Sequence, residues 1–100
     1  MKIRHGDLLI EKVKSIPKNI KKIEGNVLAE GEITGHKHQL LVRNSENLKL
    51  FGEQQVQYFD LRENTKLVHN EHKEIQITKG KYRVIRQKEY SPLMNRQVMD

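Results

Sequence analysis

Apolar residues recur at every second position along most of the chain. In "HKHQLLVR", period-two alternation puts His36, His38, Leu40 and Val42 on one face, with Lys37, Gln39 and Arg43 turned away. "LKLF" pairs Leu48 with Leu50, and "QVQYFDLR" sets Val56 and Tyr58 against Phe59 and Leu61. "EIQITKGKYRVIR" carries Ile75 and Ile77, then Tyr82 and Val84, around a Lys79-Gly80-Lys81 turn. Alternation over such short stretches is the pattern of half-buried strands. "HGD", "EGN", "TGH", "RNSEN", "FGE", "HNEH" and "TKGK" separate the strands and supply the glycine and asparagine that tight turns use.

About seven short strands in one chain predict an all-β fold, a small single-domain β-barrel or a compact β-sandwich. Barrel closure would remove the exposed strand edges that a chain without helices cannot cover. Residues 1–100 read as one domain. "SIPKNIKK" around Pro17 reads as a loop or a single helical turn. Ser91-Pro92 could open a short C-terminal helix over 91–100, which is otherwise a flexible tail.

The chain has 100 residues, so its core is small. It has no cysteine, which excludes disulfides, thiolate ligands and cysteine nucleophiles. "MKIRHGDLLIEK" interrupts its apolar residues with charge, and no run approaches the ~20 residues of a membrane span. A cytoplasmic protein without membrane contact is expected. The net charge of +6 makes nucleic acid a candidate partner through the basic surface, although the bases are scattered and only five aromatic side chains could stack on bases. A plain solvated basic surface is the competing explanation.

The histidines change the picture further. His36 and His38 sit at i, i+2 on one strand face, where two imidazoles can converge on one ion. They share that face with Leu40 and Val42, and an inward imidazole needs a partner. "LVHNEH" adds His69 and His72, with Asn70 and Glu71 as a turn or bulge that could aim His72 back. The expectation is a divalent metal held by His36, His38, His69 and His72, zinc being the first candidate; imidazole equally suits copper, nickel and iron. Glu71 and Glu74 are the candidate catalytic carboxylates, as general base, ligand or partner to a ligand. A metal-free acid–base site and ordinary surface or core histidines are the alternatives. His5, in "IRHGDLL", reads as a strand-edge residue, with a place as fifth neighbour of the cluster as the alternative, and Asp7 reads as a turn cap.

The order "HGDLLI…IPK…VLAEGEITGHKHQL…LVHNEHKEIQITKGKYRVIRQKEY" resembles a family of small uncharacterised prokaryotic and phage-associated proteins with GHxH and HxxH elements. The resemblance covers nearly the whole chain and implies no particular activity. More loosely, the chain is similar to cupins, β-barrels whose first motif runs HxH, glutamate, glycine. His36 and His38 match the HxH, and Gly52 falls at a tolerable distance. Glu46 lies eight residues after His38 rather than about four, and the second cupin motif is absent before His69. What this likeness implies is a barrel with inward histidines.

No phosphate-cradling glycine loop, GxSxG elbow, HExxH helix, helix-turn-helix or zinc-finger pattern is present. Three functions are carried forward. One is a metal-binding barrel acting as a hydrolase or lyase on a small-molecule substrate. The second is a basic nucleic-acid binder or metal-independent ribonuclease. The third is an accessory protein with structural histidines, which could form a homo-oligomer through its strand edges.

Overall fold

The computed structural model describes residues 2–31 and 35–87. The expected C-terminal helix over 91–100 lies outside them. The described chain is all-β, with ten strands: β1 (Lys2–His5), β2 (Leu8–Val13), β3 (Lys22–Ile23), β4 (Val27–Glu30), β5 (Lys37–Leu40), β6 (Leu48–Phe51), β7 (Tyr58–Leu61), β8 (Thr65–Val68), β9 (Ile75–Ile77) and β10 (Gly80–Arg86). A 3-10 turn, Ser45–Asn47, precedes β6, with the Asn44 side chain accepting from the Glu46 amide.

The strands form two antiparallel sheets. Six run in the order β1-β2-β10-β7-β6-β3 and four in the order β4-β5-β8-β9. Among the described residues no pairing joins the two into a closed barrel, so of the two expected architectures the two-sheet arrangement is the one formed. The short strand β9 leads into β10 through Thr78-Lys79, and there the chain changes sheets. The Tyr82 hydroxyl fixes this corner by donating to the Thr78 carbonyl at 2.7 Å.

Both sheets face one core. Leu8, Ile10, Leu48, Leu50, Phe59, Leu61, Tyr82 and Val84 of the larger sheet meet Leu28, Leu40, Leu67 and Ile77 of the smaller. Phe59 and Tyr82 stack with centroids 4.9 Å apart. Leu40, Leu48, Leu50, Ile77, Tyr82 and Val84 are buried as their alternation predicts, whereas Val42 and Ile75 are only partly so; of the two faces of "QVQYFDLR", the one with Phe59 and Leu61 is buried.

The β1–β2 hairpin carries two of the side chains that meet at one end of the molecule. His5 pairs with Leu8, leaving Gly6 and Asp7 as a two-residue turn. Gly6 has φ 63°, as the first central position of a type I′ or II′ turn requires. This turn brings His5 and Asp7 up to β5 and to the turn after β8.

Candidate functional site

All five histidines gather at this end of the molecule. Ring centroids lie 5.0 Å apart for His5 and His38, 4.3 Å for His38 and His69, 4.5 Å for His69 and His72, and 5.6 Å for His36 and His69. They come from three places in the fold. His5 ends β1, His38 lies within β5 with His36 just before it, and His69 and His72 flank the turn after β8. The Asn70 side chain accepts from the Lys37 amide at 3.1 Å and pins that turn to β5.

His38 is the inward residue that strand parity predicted, only 3% exposed. His36 precedes the first residue of β5, and its side chain remains 29% exposed; its Nδ1 faces the Glu71 carboxylate at 3.4 Å. His5 ends the edge strand β1, yet it is as buried as His38 and is the fifth neighbour of the cluster rather than only a strand-edge residue. Asp7 also does more than cap a turn. Its Oδ1 lies 3.1 Å from His38 Nε2, and its Oδ2 accepts from Arg86 Nε at 3.1 Å. Arg86 in turn donates to the Glu30 carbonyl at 3.0 Å. Of the two candidate carboxylates, Glu71 stands among the histidines, whereas Glu74 is paired with Lys66 at 3.1 Å.

The acceptors on the outer side of the two rings favour one tautomer for each. A carboxylate accepts only, so His38 carries its proton on Nε2 and donates it to Asp7. A carbonyl accepts only, so His5 carries its proton on Nε2 and donates it to the Lys73 carbonyl at 3.0 Å. In the neutral rings both Nδ1 atoms are then bare lone pairs. These two atoms face each other at 3.0 Å in a buried setting.

Electrostatics favour the neutral forms. Burial, reinforced by His69 and His5, pushes His38 from 6.5 down to about 4 despite the opposing pull of Asp7. Burial likewise lowers His5, against its bond to the Lys73 carbonyl, and His69, with its histidine neighbours adding to the effect. Burial alone would raise Asp7, but Arg86 and then His38 outweigh it and hold the carboxyl below its ordinary value.

Gly6 is fitted to the cluster. A Cβ there would lie 2.5 Å from His72 Nε2 and 3.1 Å from His38 Cε1. His69 is partly committed, its Nδ1 accepting from the Glu71 amide at 3.0 Å. Among the described residues no group of three or more histidine, aspartate or glutamate side chains forms a converged metal-ligand set. What is assembled is a two-nitrogen core, His5 and His38, with His69 and His72 next to it. A cavity of about 340 Å³ is lined by Leu8, Leu28, Val56, Val84 and Arg86 among others, and by none of the histidines.

The sequence offers His5 only as a less favoured fifth neighbour and does not mark Asp7 or Arg86 as site residues. "HGD" contains the first two, and its glycine marks the turn that brings them together. Only the tertiary fold pairs that turn with β5.

A family model for a domain of unknown function, DUF8820, matches residues 4–87. The chain belongs to this family. The matched span contains all five histidines, Asp7 and Arg86. No curated protein and no solved structure matches the chain. No helix among the described residues of this family member is long and apolar enough to cross a membrane.

Proposed function

We propose that this DUF8820 protein binds a divalent transition metal at its histidine cluster, with His5 and His38 as the first two ligands. One observation carries the reading: the facing Nδ1 atoms 3.0 Å apart, each on a ring whose other nitrogen is tied to an acceptor. Metal-ligating histidines are arranged in this way, with the second N–H given to a carboxylate or a backbone carbonyl. Two opposed lone pairs repel, and a cation between them turns the repulsion into two bonds.

His69 and His72 join the coordination by side-chain rotation, His69 giving up its bond from the Glu71 amide. His36 stands behind His69. The ligand set expected from sequence is thus revised to His5, His38, His69 and His72, with His36 at its margin. An ion about 2.1 Å from two nitrogens 3.0 Å apart subtends about 90°, the angle of square-planar or octahedral sites. Tetrahedral zinc needs the pair to open to about 3.4 Å. Copper(II) and nickel(II) therefore stand beside zinc as candidates. From the cupin likeness the reading keeps only the inward histidine, His38.

A hydrolase or lyase activity would follow if one coordination position holds water, because a metal-bound water ionises near neutral pH. Glu71, at the open side of the cluster beside His36, is the carboxylate placed to take its proton. Elemental analysis of untagged protein tests the metal reading, with about one equivalent of metal expected per chain and its loss in H5A and H38A. Metal-free protein whose melting temperature is unmoved by zinc, nickel or copper would refute it.

A further inference from the structure

A second surface, far from the histidines in chemistry, lies on the outer face of the six-stranded sheet. Directly paired residues of antiparallel strands point to the same side. The pairings Lys22–Phe51, Phe51–Tyr58, Tyr58–Arg83, Arg83–Glu11 and Glu11–Lys2 therefore make one continuous row across all six strands. The neighbouring inward row of Leu50, Phe59 and Tyr82 is buried, so the Phe51–Tyr58 row faces out. At a strand spacing of about 4.8 Å the row is about 24 Å long.

Two aromatic residues stand side by side at its middle, both partly exposed. Positive charge surrounds them. Lys2, Arg4, Lys22, Lys49, Lys81 and Arg83 lie on this face, against Glu11 and Asp60 on its strands and Glu24, whose carboxylate reaches Lys22 at 3.9 Å. Each acid already has a basic partner: Arg83 pairs with Glu11, Lys22 with Glu24, and Arg62 makes two contacts to Asp60 at 3.1 and 3.2 Å. The lysines that flank the rings are exposed.

We infer that this face binds single-stranded nucleic acid, with bases stacked on Phe51 and Tyr58 and phosphates drawn to Lys49 and Lys81. The argument is charge complementarity combined with stacking. A basic face attracts any polyanion, but adjacent aromatic rings in the middle of it suit a strand whose bases are unpaired, since a duplex buries its base faces in its own stack. The inference is independent of the metal reading and involves none of the histidines.

The test is fluorescence anisotropy of the full chain with labelled 16-mers of uridine and of thymidine, beside a 16-base-pair duplex. Binding to either single strand at least tenfold tighter than to the duplex at about 0.1 M salt is expected. The two single strands together show whether the sugar matters. The logarithm of affinity should fall with the logarithm of salt by about 0.7 for each phosphate neutralised. F51A and Y58A should each weaken binding by about tenfold, within the range of stacking losses on alanine substitution. K49Q and K81Q, at exposed positions that threaten no packing, should flatten the salt dependence, whereas K66Q on the other sheet should leave it unchanged. Absence of binding, preference for the duplex, or folded aromatic variants with undiminished affinity would overturn the inference. So would equal loss in K66Q and K81Q, or binding to anionic phospholipid vesicles without binding to the 16-mers.

Discussion

Substituting Gly6 should damage the protein in two separable ways. The first is local. At φ 63° an alanine pays the left-handed penalty of roughly 1–2 kcal/mol. In a domain of this size each 1 kcal/mol lowers the melting temperature by about 4–8 °C, so G6A should melt about 4–16 °C below the parent. The second is spatial. The new methyl would lie 2.5 Å from His72 Nε2, too close for the two to coexist. His72 is exposed and can swing away at little cost in stability, so this contact should appear in metal affinity rather than in melting. Titration of apo protein with zinc or nickel, followed by calorimetry, reads affinity directly. A cycle of G6A, H72A and the double variant then separates the two effects. If His72 is a ligand displaced by the methyl, the two substitutions share one loss, and the double variant binds metal no more weakly than H72A. G6N, which tolerates positive φ better, should recover part of the melting temperature but none of the affinity. Fully additive losses of affinity would refute the idea that Gly6 protects a ligand, even if metal binds.

The same geometry carries other expectations. D7N keeps the shape of Asp7 but removes the anion that holds both His38 and Arg86; it should weaken metal binding by about 10–100-fold, measured by competition with a chelating dye. Acid should destabilise the metal-free protein earlier than carboxylate titration alone allows. His38 is lowered from 6.5 to about 4 in the fold, so its contribution is complete above pH 6.5 and is lost as pH falls toward 4. That displacement corresponds to about 3 kcal/mol, and H38Q should flatten the fall in urea-denaturation stability between pH 6.5 and 4. L67A, which empties a fully buried position where the smaller sheet meets the core, should cost about 2–5 kcal/mol in the same assay.

The fold class is legible in the sequence because alternation is a local property. Leu48 and Leu50, or Tyr82 and Val84, announce their buried side whichever strands they pair with. Which strands share a sheet is not legible. The change of sheet between Ile77 and Gly80 depends on the Tyr82 hydroxyl reaching the Thr78 carbonyl, and nothing in "ITKGKY" distinguishes this from a hairpin. The site divides along the same line. His38 reads as inward from its parity with Leu40. His36 does not follow that rule, because β5 begins after it and parity has no meaning outside a strand. His5 is offered by the sequence only as an alternative neighbour, because its burial comes from contacts with residues 33 and 68 positions away.

The arrangement also explains why a domain with so small a core can bury two imidazoles. A buried ring without partners is costly, and the fold provides for each ring on its outer side: Asp7 and Arg86 for His38, the Lys73 carbonyl for His5. The inner side is treated differently. The tautomers that these partners impose leave no proton between the two Nδ1 atoms, and burial opposes acquiring one from solvent near neutral pH. A histidine pair kept only for packing would gain from one ring turning to offer an N–H to the other. Here the outer partners block that turn, because flipping either ring would break a bond to a carboxylate or a carbonyl. The repulsion is held in place by Asp7 and Lys73, as expected if the inner nitrogens are reserved for a cation that binds them both.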